Sequence, residues 1–177
     1  GNGRHGTVNG ATLTADRFGQ ANSAYYFNGA SSDIVLPETF FGPADAAWTV
    51  SVWITTDSGP YSVPQKVIGK SCVNGEMGIG INPDQETVFS IHAASEDWLG
   101  THAPLLTNGT MHVVGVYQKG QSVSLYTNGL LADTLAVPNL NLFAASFPVI
   151  SALGSYHYAY GPYDWFRGTI DDFQIGR

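Results

Sequence analysis

Apolar and polar residues alternate most cleanly from Trp48 to Thr55. Trp48, Val50, Val52 and Ile54 fall on one side, and Thr49, Ser51, Trp53 and Thr55 on the other. Successive side chains of a strand point to opposite faces, so this period of two predicts a strand with one buried and one open face. Trp53 lies on the polar side, where it is either covered by a loop or part of a binding surface. Further short strands are predicted at 25–27, 33–36, 66–70, 78–81, 88–92, 112–117, 122–127, 130–135 and 149–155. Asn28-Gly29 and Asn128-Gly129 are two-residue hairpin signals, and Asn74-Gly75, Pro83-Asp84 and Lys119-Gly120 mark other turns. Segments 57–64, 94–107 and 156–165 read as loops, the second exposing Glu96, Asp97 and Trp98. About a dozen short strands, turn signals every eight to twelve residues or so and no amphipathic helix predict an all-β fold. Its expected architecture is a jelly-roll sandwich of two antiparallel sheets, forming one domain over residues 1–177.

The closing segment, 166–176, reads as a further strand. Strict alternation puts Thr169, Asp171, Phe173 and Ile175 on one face and Ile170, Asp172 and Gln174 on the other. Phe173 and Ile175 mark the first face as the core side. Asp171 then lies at the margin of an apolar layer, where a charge needs a counter-charge or good donors. Lys and Arg number seven against fourteen Asp and Glu. A bound cation is therefore one expected partner, and calcium suits such oxygen ligation. The plainer alternative is a carboxylate that caps a turn or accepts backbone N–H groups.

Composition narrows the function classes. A chain of 177 residues supports one substantial core, and 21 Gly with nine Pro favour turns over helices. The net charge of −7 argues against nucleic acid and anionic membrane surfaces as partners. No apolar run approaches the ~18 residues of a membrane helix, so no membrane insertion is expected. Cys72 is the one cysteine, which excludes an internal disulfide framework and leaves a buried, inert thiol as its expected state. The chain opens at Gly1 with neither Met nor a signal-peptide pattern, as expected of a domain taken from something longer. Low charge and many polar and aromatic residues suggest an extracellular or cell-surface setting.

Several segments together resemble the laminin-G-like group of the concanavalin A-like lectin/glucanase superfamily. They are Tyr26-Phe27-Asn28-Gly29, Trp48-Thr49-Val50-Ser51-Val52-Trp53, Ser124-Leu125-Tyr126-Thr127-Asn128-Gly129, and the run from Phe166 to Ile175 that contains Ile170-Asp171-Asp172. Gly1-Asn2-Gly3-Arg4-His5-Gly6 and Lys66-Val67-Ile68-Gly69-Lys70 resemble further family elements, and all come in family order. The chain departs from the family at Met111-His112-Val113, where Trp usually precedes His-Val, and it stops at Gly176-Arg177. The resemblance implies two sheets and a structural calcium ion. Asp171 would supply its side chain, and the turn at Asn28 and Gly29 backbone oxygen, tying the first strands to the last.

Domains of this fold include enzymes, lectins and protein-binding modules, so the ligand must be argued from the residues. The superfamily's glucanases set carboxylates at alternating positions on one strand, putting nucleophile and acid on one face. Here Asp84-Gln85-Glu86 and Glu96-Asp97 fall in predicted loops, and Asp171-Asp172 are adjacent. A Gly-x-Ser-x-Gly elbow is absent, and His5, His92, His102, His112 and His157 lack a zinc-ligand spacing. Sugars are held by aromatic rings with a few convergent polar groups. Tyr156, His157, Tyr158, Tyr160, Tyr163, Asp164 and Trp165 crowd one loop in that manner, although such rings can also serve as edge cover. Trp98 with Asp97 and Glu96 is a second patch, and Lys70 with Asn74 and Glu76 a third. The expected function is a non-catalytic, calcium-stabilised carbohydrate-binding module of a larger extracellular protein, with a glycan or polysaccharide as partner. The alternatives are a calcium-dependent adhesion module for a protein receptor and a polysaccharide-degrading domain.

Overall fold

The computed structural model describes residues 5–37, 47–57, 59–71, 77–93, 98–107, 109–138, 140–142, 150–158 and 161–176, with the backbone alone for Ser71 and Tyr158. The chain begins with β1 (Thr7–Asn9), β2 (Thr12–Thr14), β3 (Ala24–Asn28), β4 (Asp33–Leu36) and β5 (Trp48–Thr56). It continues through β6 (Gln65–Ser71), β7 (Met77–Ile81), β8 (Glu86–His92), β9 (Trp98–Pro104) and β10 (Thr110–Gln118). It ends with β11 (Ser122–Thr127), β12 (Leu130–Ala136), β13 (Ile150–Leu153), β14 (Tyr156–Tyr158), β15 (Gly161–Tyr163) and β16 (Arg167–Gly176). One seven-stranded sheet has the order β1-β4-β13-β6-β7-β8-β9, the other β12-β11-β10-β5-β16-β3-β2, and β14 and β15 form a separate ribbon. The pairings are antiparallel and the described residues contain no helix, so the expected all-β, jelly-roll sandwich is what forms. Among the described residues no helix is long and apolar enough to cross a membrane.

The period of two in β5 builds one wall of the core. Trp48, Val50, Val52 and Ile54 all turn inward and are buried. On β10, Val113 pairs with Val52, and Gly115 with Val50. Gly115 carries no side chain because the Phe89 ring of the opposite sheet rests there: a Cβ would lie 2.6 Å from Phe89 Cδ2. Trp48 meets Phe89 edge-on at 5.9 Å and Tyr117 at 5.3 Å. These rings lock the two sheets together across the middle of the sandwich.

Three expectations change. First, Asn128-Gly129 does close the β11–β12 hairpin, with φ of 50° and 81° as a type I′ turn requires. Asn28-Gly29 does not close a hairpin, because β3 and β4 lie in different sheets. There the Asn28 side chain redirects the chain: Oδ1 accepts the N–H groups of Ala30 and Ser31, both at 2.9 Å, and the Ser32 hydroxyl at 3.1 Å. Second, residues 98–104, read as loop, form the edge strand β9, and 156–163 holds a short ribbon.

Third, strict alternation fails in β16. Ile170 pairs with Ile54 and Asp171 with Trp53, but the next partners are Gln174 with Ser51 and Ile175 with Val50. One extra residue is therefore inserted, and Asp172 takes a left-handed φ of 45° to admit it. The bulge switches the parity. Ile170 shares the core side with Ile175, and Asp171 lies on the outer face beside Trp53, not on the face of Phe173 and Ile175.

Candidate functional site

The outer face of the first sheet has a floor almost without side chains. Gly69 pairs with Gly78, Gly78 with Ser90, Ser90 with Gly100, and Gly80 with Val88. All these positions point away from the core. At Gly69, Gly78 and Gly80 a side chain would not fit. A Cβ on Gly69 would lie 2.9 Å from the Tyr156 ring, and one on Gly80 would lie 2.5 Å from the Gln65 carbonyl oxygen and 3.3 Å from Lys66 Cδ. The glycines thus let Tyr156 press onto β6, and let the Lys66 stem cross β7 toward β8 and β9.

At its far end Lys66 Nζ donates to Ser90 Oγ at 3.4 Å. It also sits 5.1 Å from the Trp98 ring centroid and 5.9 Å from that of Tyr156, within cation–π range. Trp98 is stacked on His92, with centroids 4.8 Å apart. It meets Tyr156 edge-on at 6.3 Å, and Tyr156 meets Tyr163 at 5.2 Å. The result is a continuous row, His92–Trp98–Tyr156–Tyr163, flanking an ammonium group. Tyr156 is buried, whereas Trp98 is 46% and Tyr163 42% exposed, so two rings of the row are open to a ligand.

Two patches that were separate in sequence, Trp98 and the Tyr156–Trp165 segment, therefore meet in space. Their members have different roles. His157 Nε2 lies 2.6 Å from Asp33 Oδ2, which also accepts from Ser155 Oγ at 3.1 Å, while Asp33 Oδ1 accepts from Asn9 Nδ2 at 2.8 Å. That buried carboxylate anchors the ribbon to β4, and His157 works as structure. The Asp164 carbonyl accepts the Lys66 N–H at 2.7 Å. Burial raises the pKa of its carboxyl, and the Lys66 charge offsets part of that rise. Trp165 is half-buried and bridges to the Lys66 backbone. Asp97 and Tyr160 lie outside the described residues, as do Glu96, Asn74 and Glu76. Lys70 is 2% exposed and opposite inward-facing Met77, so it is no surface patch. Lys66, His92 and Ser90 were not foreseen, although glycines at 69, 78 and 80 were the available signal that something lies flat on this face.

Asp171 has a different neighbourhood from the one expected. Its Oδ2 accepts from Arg17 Nη1 at 2.6 Å and from the Arg17 backbone N–H at 3.3 Å, and the same Nη1 reaches Asp172 Oδ2 at 2.7 Å. The guanidinium lies 4.6 Å over Trp53 and 4.4 Å over Phe18. His112 stacks on Trp53 at 4.7 Å, and its Nε2 is 2.8 Å from Ser51 Oγ. Trp53 is thus covered. Burial, and secondarily the Arg17 charge, lowers the His112 pKa below its usual value.

The residues carried over for calcium do not fit one ion. Asn28 pairs with Arg167, four positions along β16 from Asp171. Four residues of strand span ~13 Å, whereas calcium–oxygen bonds are about 2.3–2.6 Å. Among the described residues no three His, Cys, Asp or Glu side chains converge as metal ligands.

Comparison with known proteins supports the fold. Residues 9–176 match the family described as the concanavalin A-like lectin/glucanases superfamily. No curated protein matches the chain. Among solved structures, the receptor-binding domain of botulinum neurotoxin C/D mosaic serotype is similar, with a TM-score of 0.72 and 12% identity over 97% of this chain and 42% of that one. The binding domain of Paraclostridial Mosquitocidal Protein 1 gives 0.75 and 16% over 99% and 44%. This chain thus spans under half of those toxin domains. Domain 4 of an extracellular arabinanase from Geobacillus stearothermophilus, in complex with arabinotriose, gives 0.67 and 18% over 96% and 81%. At these identities the likeness is one of fold.

Proposed function

Because this chain belongs to the concanavalin A-like lectin/glucanase superfamily, whose members range from lectins to glucanases, we propose that it is a non-catalytic carbohydrate-binding module of a larger extracellular protein. The observation that carries this reading is the row His92–Trp98–Tyr156–Tyr163 beside Lys66 and Ser90. Exposed rings offer the C–H face of a sugar a flat apolar partner, and the ammonium and hydroxyl beside them supply directional bonds to its hydroxyls. Binding is an equilibrium process and needs no chemistry from the protein. No described strand carries carboxylates two positions apart, the arrangement expected for retaining hydrolysis, which favours binding over catalysis. Arabinotriose in the similar arabinanase domain makes arabinan a natural first ligand to try.

The test is a binding screen of arabinan, xylan, glucan and sialylated glycans with wild type and Trp98→Ala. Binding by wild type, lost at least about tenfold in the variant, supports the proposal. Binding unaffected by the variant removes this face as the site, and release of reducing sugar in the same wells identifies an enzyme. A second reading, a protein-receptor module, is favoured by Leu130 and Leu131, which are 74% and 55% exposed at the β11–β12 turn. Pull-down by a protein receptor that survives Trp98→Ala but not Leu130→Ser would establish it instead.

A further inference from the structure

The trough does not stop at Trp98. Along β8 and β9 the same outer face passes Ser90 and Gly100, then Val88 and His102, and ends at Glu86 and Pro104. At this end Glu86 Oε2 accepts from Asn82 Nδ2 at 2.9 Å and stands 3.0 Å from His102 Nδ1. Asn82 Oδ1 accepts the Glu86 backbone N–H at 3.0 Å, and the Asn82 N–H bonds the Glu86 carbonyl, also at 3.0 Å. The carboxylate is therefore clamped by a turn at one oxygen. Hydrogen bonds from Asn82, and then from His102, hold its pKa below the usual value, so it stays an acceptor. Glu86 Oε1 and His102 Nε2 bond to nothing in the described protein. The imidazole leans back over the floor: Nε2 is 3.7 Å from where a Gly100 Cβ would stand. Both side chains are about half exposed.

We propose that the outer face takes an extended oligosaccharide of about three to four units, with one ring against Trp98 and another held through its hydroxyls by Glu86 Oε1 and His102 Nε2. This rests on the glycan reading of the same face. The length follows from the strand. Trp98 and His102 are four residues apart, ~13 Å along β9, and a hexose ring is about as wide as the ~4.8 Å between neighbouring strands. The polar contacts follow from the chemistry. The free carboxylate oxygen accepts a hydroxyl proton, and the imidazole nitrogen bonds a further hydroxyl of the same unit. Asn82 holds this pair ready before the ligand arrives, so little ordering remains to be done on binding. Between the two ends the floor is formed by Ser90 and Gly100, small residues over which the intervening units pass.

Calorimetric titration with arabino-, xylo- and cello-oligosaccharides of one to six units tests this, using wild type, Trp98→Ala, Glu86→Ala and His102→Ala. For the sugar that binds, affinity should rise about tenfold or more between two and four units and then level off. Glu86→Ala and His102→Ala should abolish that rise while leaving disaccharide affinity and the melting curve unchanged. Affinity independent of length, or equal losses for disaccharide and hexasaccharide, overturns the second subsite and leaves the first standing. Trp98→Ala without effect on any length, or no binding in any of the three series, overturns both.

Discussion

The imidazole of His92 lies flat against the indole of Trp98, with planes 1° from parallel and centroids 4.8 Å apart. They are direct partners across β8 and β9. An edge strand leaves a large ring free to swing, and this stack fixes its orientation before any ligand arrives. His92→Ala should weaken glycan binding about three- to tenfold while moving the melting temperature by less than about 2 °C, as for other surface changes. Titration and thermal melting of the one variant check both halves. Unchanged affinity would show that the ring needs no such support.

The Arg17–Asp171 pair should behave as one unit. Arg17→Met leaves a buried carboxylate with the 3.3 Å backbone N–H as its remaining described donor, so melting should fall by several degrees. Adding Asp171→Asn should restore part of that loss, because the stranded charge is gone. Strict additivity in this cycle would argue that the pair is incidental. Since arginine is the counter-charge, the difference between wild type and Asp171→Asn should be the same in calcium and in chelator. A calcium-dependent difference would return the ion to this site.

His112 should make the fold acid-sensitive. Its folded pKa is lowered below 6.5 by burial and by Arg17, so as pH falls the unfolded chain takes up the proton first. Stability is then lost as pH drops from about 6.5 toward the folded pKa, and it is full above that window. His112→Asn should flatten this part of the stability curve relative to wild type. Denaturant midpoints at pH values from about 5 to 8 provide the comparison, and parallel curves would exclude the effect.

Thr87 faces the core fully buried, and its hydroxyl has no hydrogen-bond partner among the described residues. Thr87→Val keeps the shape and removes the stranded polar atom. It should stabilise the protein by about 1 kcal/mol, seen as a rise of about 2–4 °C in melting temperature. A fall would mean that the hydroxyl is satisfied by water.

The sandwich was legible wherever a strand obeyed its period, as in β5. It was illegible where one inserted residue changed the parity, because the bulge at Asp172 leaves no mark in an apolar–polar pattern. β9 escaped because Gly100 and Pro104 read as loop, although Leu99 and Ala103 pack inward at alternate positions. The two Asn-Gly turns look alike as dipeptides. Their difference lies in Ser31 and Ser32, which help Asn28 turn the chain into the other sheet. Trp98 and the Tyr156 segment could be named as candidates, but their contact depends on pairing between distant strands. Lys66 gained its role only because glycines on two strands clear its path.

β16 runs between β5 and β3, in the interior of the second sheet. Of the described strands, β16 is the last to be synthesised, and it is the one that joins the two halves of that layer. Until it emerges, β5 and β3 each present an open edge able to pair with a neighbouring nascent chain. Synthesis of this domain thus has a vulnerable interval that ends only with residues 167–176, and slowing translation just before them should increase aggregation in the cell.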